Sequence, residues 1–83
     1  MSDLGEIRNF GPYMVGIMHR IGIRSRAQLM ETDYLAIRDA LLAEGIRPHP
    51  NIFYSIEMGL QGRSWNSITP EERREVRRIL EEG

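Results

Sequence analysis

Gly22, Gly45 and Gly62 each stand just past a run whose apolar residues repeat at helical spacing, and Gly22 sits where a left-handed C-cap residue is wanted. The runs open with equally clear signals. Gly11-Pro12 puts proline in a first helical turn, Ser25 and Thr32-Asp33 are capping residues, and Asn51 stands ahead of an apolar run. Thr69-Pro70-Glu71-Glu72 combines a capping box with a proline at the first helical position. No segment alternates apolar and polar residues as a half-buried strand does. The chain is therefore predicted to be all-α, five short helices around one core.

The first run, Pro12–Ile21, places Met14, Ile17, Met18 and Ile21 on one stripe. Ser25, followed by Gln28, starts a short helix through Glu31, and Met30 is assigned with Met14 and Met18 to core filling. In the third, Tyr34, Ile37 and Leu41 form the stripe, flanked by Leu35 and Leu42. Arg47-Pro48-His49-Pro50 cannot be helix interior, so Asn51 is taken as the cap of the fourth helix, with Ile52, Phe53, Ile56 and Leu60 inward. Gly59 lies inside that helix at a cost of about 1 kcal/mol relative to alanine, which implies close approach of a neighbouring backbone or ring. Trp65 is predicted to fill that space, buried against the fourth helix. The fifth helix runs to about Leu80, burying Val76, Ile79 and Leu80.

With 83 residues the chain has room for a single domain, residues 1–83. It has no cysteine, so neither a disulfide nor a thiolate metal site can support a core this small. No apolar run approaches the ~20 residues of a membrane span, and Met1–Glu6 lacks a basic, apolar leader. A cytoplasmic protein without membrane contact is expected.

The basic residues are 11 arginines without a lysine, set against 12 acids, and a net charge of −1 argues against a strong non-specific nucleic-acid binder. The distribution is uneven: Arg8, Arg20, Arg24 and Arg26 fall between Ile7 and Met30, where there is no acid. The charges of the last helix, Glu71 to Glu82, read as a solvated face with Glu71–Arg74 and Glu75–Arg78 at i, i+3. Catalysis has little support. His19 reads as a surface or half-buried structural histidine and His49 as a loop residue, and neither stands in a nucleophile–base signature. Two isolated histidines make no zinc site, and there is no phosphate-binding glycine loop. A non-enzymatic protein without metal or cofactor is expected.

Two loops carry more information. Ile7-Arg8-Asn9-Phe10-Gly11-Pro12 has the apolar–x–Asn–apolar–Gly pattern of the hairpin in helix-hairpin-helix modules, where a tight turn presents the amides of a helix start to a phosphate. Asn9 replaces a glycine and is expected in or beside a left-handed conformation. Pro12 deletes one donor, so a phosphate grip would rest on Gly11, Tyr13 and Met14, although burial of the Tyr13 ring is the plainer expectation. The second loop is Ile21-Gly22-Ile23-Arg24-Ser25. Arg8, Asn9, Gly11, Tyr13, Arg24 and Arg26 are the candidate contacts to a DNA backbone. A ten-residue helix is about 15 Å long, so Arg8 and the other arginines flank opposite ends and suit an extended backbone-tracking face rather than one clamp.

Asn9-Phe10-Gly11-Pro12, Ile21-Gly22-Ile23, Ser25-x-x-x-Leu29 and Tyr34-Leu35-Ala36-Ile37-Arg38 are followed in order by Asn51–Gly62 and Trp65. Over about residues 7–80 this resembles the C-terminal domain of the TfoX/Sxy family of bacterial competence regulators. The resemblance implies a helical module of the helix-hairpin-helix or sterile-alpha-motif kind, in proteins that help to switch on DNA-uptake genes, in some bacteria alongside a cyclic-AMP receptor protein. Full-length members carry a separate N-terminal domain for which 83 residues leave no room, so service to another regulator is expected. The partner implied is a protein of transcription regulation, with weak DNA-backbone binding as the alternative. Gly59, Gly62 and Trp65 are read as packing residues.

Overall fold

The computed structural model describes residues 3–81. It contains five α-helices: α1 (Pro12–Arg20), α2 (Arg26–Glu31), α3 (Tyr34–Ala43), α4 (Pro50–Leu60) and α5 (Pro70–Glu81). Two short 3-10 turns, Asp3–Glu6 and Trp65–Ser67, were not anticipated from apolar spacing. No strand occurs among the described residues, and no helix there is long and apolar enough to cross a membrane. Met1-Ser2 of the N-terminal stretch and Glu82 of the charged run lie outside the described residues.

The punctuation works as its chemistry dictates. Gly22, Gly45 and Gly62 have φ of +87°, +73° and +71°, the region that a side chain disfavours. Ser25 Oγ accepts the Gln28 N–H at 3.1 Å, and Asp33 Oδ1 accepts the Ala36 N–H at 2.7 Å. Thr69 and Glu72 form a reciprocal capping box, with bonds of 2.9 and 3.2 Å. One cap differs from expectation. Pro50 occupies the first turn of α4, so the cap falls on His49, whose Nδ1 accepts the Asn51 N–H at 3.1 Å. Asn51 is inside the helix.

Helix α4 is the centre of the fold. Ile52, Phe53, Tyr54, Ile56, Met58 and Gly59 are all buried, which marks a helix covered on several sides. Helix α5 packs on α3 and α4. Met14, Ile17 and Met18 of α1 complete the core with Ile37 and Leu41 of α3 and Val76 of α5; Ile79 and Leu80 are only partly buried. Tyr34 meets Phe53 edge-on, with ring centroids 5.4 Å apart, and donates its hydroxyl to Glu57 at 2.6 Å. Burial, followed by that bond to a carboxylate, pushes the phenol above its ordinary range.

Among the described residues four large apolar side chains stay exposed: Tyr13, Met30, Leu42 and Trp65. Met30 therefore does not fill the core, and the Tyr13 ring is not buried. Trp65 is the larger correction. It is 53% exposed, because the space over Gly59 is already taken by the carbonyl of Arg8 and a methyl of Ile7. The close approach expected at Gly59 exists, and it is made by backbone.

Candidate interaction surfaces

The N-terminal loop is anchored from within. Leu4, Ile7 and Phe10 are buried at three-residue spacing, and the Ile7 and Phe10 N–H groups each donate to a carbonyl three residues back, at 3.1 Å. That leaves Asn9 to turn the chain, and it does so at φ +75°. Its carboxamide faces the connection between α4 and α5. Nδ2 donates to the Arg63 carbonyl at 3.0 Å and Oδ1 accepts the Trp65 N–H at 3.0 Å. Both ends of the amide are thus engaged by the chain itself.

Gly11 is the N-cap of α1 and has no side chain to close it. Tyr13 stands 71% exposed in the first turn, and Arg8 is exposed beside the loop. Arg26 lies elsewhere than a linear layout suggests. Its N–H donates to Asp3 at 2.8 Å and its guanidinium to the Leu60 carbonyl at 3.1 Å, satisfying the open end of α4. The Arg8 backbone carbonyl packs on neighbouring Gly59, so the Arg8 backbone and the Arg26 guanidinium both lie against the last turn of α4 although α1 separates them in sequence. Arg20 reaches the other way, to the carbonyl and carboxylate of Glu44 at 3.4 and 3.8 Å. Arg24 is exposed in the α1–α2 turn, where its N–H donates to Gln28 at 2.8 Å.

A second surface was not assembled from the sequence. Arg63 makes a two-pronged pair with Glu72, at 2.8 and 3.1 Å, and also donates to the Ser67 carbonyl at 2.8 Å. This clamp closes the loop before α5. With the Thr69 N–H as a further donor, Arg63 holds the Glu72 carboxyl at about 2, well below its ordinary value. The closed loop presents Trp65 at the rim of a cavity of about 140 Å³ lined by Asn51, Tyr54, Asn66, Ile68 and Arg73. Arg73 also borders a shallower depression with Pro70, Arg74 and Arg77. At 3.6 residues per turn, Arg73 and Arg77 share one edge of α5 while Glu71 and Glu75 share another. Arg74 pairs with Glu71 at 3.7 Å and Arg78 with Glu75 at 3.0 Å. Arg73 and Arg77 have no ion pair and no side-chain hydrogen bond among the described residues. The alternation of signs hid this, since the two edges separate only once the buried side of α5 is known.

No three His, Asp or Glu side chains of the described residues gather as a metal site. The geometry is that of a small all-helical module with surfaces for contact. The chain matches the TfoX C-terminal domain family over residues 1–80, and it belongs to that family. Neither a curated protein nor a solved structure matches it.

Proposed function

We propose that the protein is a non-enzymatic regulatory module that works by binding another protein, in transcription or competence regulation in the bacterial cytoplasm. The observation that carries this reading is how the chain spends the polar groups of its basic segment. Asn9, Arg20 and Arg26 are engaged by Arg63 and Trp65, by Glu44 and by Leu60, so few cations converge on a phosphate path. The exposed aromatics Tyr13 and Trp65 are of the kind that anchors protein interfaces. The test is capture from native cells with and without nuclease. Specific capture of a protein that survives nuclease is expected; capture that nuclease abolishes contradicts the reading.

The second reading, weak binding of a DNA backbone, is favoured by one feature. The start of α1 is exposed and has no side-chain cap at Gly11, with Arg8 and Tyr13 close by in the chain. A helix N-terminus of this kind suits a phosphate. In this reading Arg8, Gly11, Tyr13 and Arg24 make the contacts, while Asn9 shapes the loop.

A further inference from the structure

We propose that Trp65 and the Arg73–Arg77 edge of α5 form a docking surface for an acidic segment of a partner protein, with one apolar side chain of that segment seated beside the indole. The proposal rests on the protein-binding reading and gives it a site and a chemistry.

Three observations support it. Trp65 is 53% exposed, and the loop that carries it is fixed, because the Trp65 backbone N–H is bound by Asn9 and the loop is clamped by Arg63 and Glu72. A rigid aromatic loses little freedom on binding, which is why tryptophan is enriched among interface hot spots. The adjoining cavity of about 140 Å³ is smaller than the ~300–1,000 Å³ of small-molecule sites, so it suits a single side chain. Ile68 and Tyr54 give it an apolar wall and Asn51 and Asn66 a polar one.

The charge supplies the sign of the occupant. Like charges at i, i+4 weaken a helix, and Arg73 and Arg77 stand at that spacing with no ion pair to either among the described residues, although Glu81 borders a depression with Arg77. Glu71 and Glu75 neutralise Arg74 and Arg78 on the other edge. Carboxylates of a partner running along α5 would meet the two unpaired guanidinium groups in the bidentate geometry that arginine favours. A nucleic-acid strand fits less well. Glu71, Glu75 and Glu81 border the same helix and the chain carries a net charge of −1, whereas strand-binding grooves carry continuous positive charge.

Trp65 is the only tryptophan, so its fluorescence reports on this surface alone. The probes are a glutamate-rich peptide with one leucine and no aromatic residue, its lysine counterpart, and an oligo-thymidine strand. A saturable change in emission with the acidic peptide alone is expected. It should weaken at high salt and fall about tenfold or more in affinity in Arg73→Glu/Arg77→Glu, the range of a lost close charge pair. Both arginines are exposed, and a circular dichroism melt checks that the variant folds. Arg73→Lys/Arg77→Lys should keep most of the affinity. No response to the acidic peptide, a response indifferent to charge reversal, or a stronger response to oligo-thymidine overturns the proposal. Nuclease-resistant capture that is unchanged in the charge-reversed variant overturns this surface alone, whereas absence of such capture by the wild type overturns the protein-binding reading itself.

Discussion

Asn9 Oδ1 accepts the backbone N–H of Trp65 at 3.0 Å, joining two loops that lie at opposite ends of the sequence. The bond explains how a turn residue in the N-terminal loop and an exposed indole before α5 belong to one arrangement. Asn9 adopts φ +75°, which aims its carboxamide at the α4–α5 connection, and the connection in turn holds the indole outward.

Asn9→Gly keeps the backbone conformation but removes the carboxamide. It should destabilise by about 1–2 kcal/mol through loss of the bonds to the part-buried Arg63 carbonyl and the exposed Trp65 N–H. Asn9→Val should cost more, because a β-branched residue resists positive φ as well. Urea denaturation of the two variants checks the order. A glycine variant as stable as the wild type would show that the side-chain bonds contribute nothing.

Gly59→Ala should destabilise despite alanine's better helix propensity of about 1 kcal/mol. A Cβ there would collide with the carbonyl oxygen of Arg8 and sit 2.9 Å from Ile7 Cγ2. Backbone cannot step aside as a flexible side chain can, so a net loss of about 1–3 kcal/mol is expected from overpacking. A higher melting temperature in the variant contradicts the close approach.

Trp65→Ala should cost no more than about 1 kcal/mol, since most surface substitutions fall within ±0.5. The bond to Asn9 uses the backbone N–H, which the substitution keeps. Circular dichroism melts are the measurement. A loss near the ~3–5 kcal/mol of a buried tryptophan would mean that the indole is part of the core.

Glu72 sets a pH dependence. Its carboxyl is held near 2 in the folded chain, against an ordinary value of 4.5, chiefly by Arg63 and then by the Thr69 N–H. A lowered folded pKa gives stability that is present above about 4.5 and is lost as the pH falls toward 2. Glu75, lowered by Arg78, adds in the same direction. Glu72→Gln should therefore flatten the decline in unfolding midpoint between neutral pH and about pH 3. An acid limb unchanged in this variant would remove the clamp from the explanation.

The helices were legible because caps and stops are local: Ser25, Asp33, Thr69 and the glycines act within a few residues. His49 took the cap of α4 from Asn51 for an equally local reason, the preference of Pro50 for the first turn. The tertiary use of single groups was not legible. Gly59 announced a close neighbour, but nothing near it in sequence says whether a ring or the Arg8 carbonyl arrives there, and that choice put Trp65 outside. The left-handed turn at Asn9 could be read from its residue type and its place before Phe10-Gly11. Its bonds to Arg63 and Trp65 cross most of the chain and could not. The same holds for Arg26, whose guanidinium sits on Leu60, and for the two edges of α5.

Titration of the purified protein with duplex DNA, at about 50 and 200 mM salt, separates the two readings of its basic segment, because phosphate contacts lose affinity steeply across that range. With Asn9, Arg20 and Arg26 engaged internally, no binding is expected at the lower salt with protein in the tens of micromolar, about the middle of the non-specific range. Saturable binding with a slope of log K against log salt of roughly −2 to −4, made shallower by about 0.9 in Arg24→Ala, would contradict this and establish a DNA-backbone face.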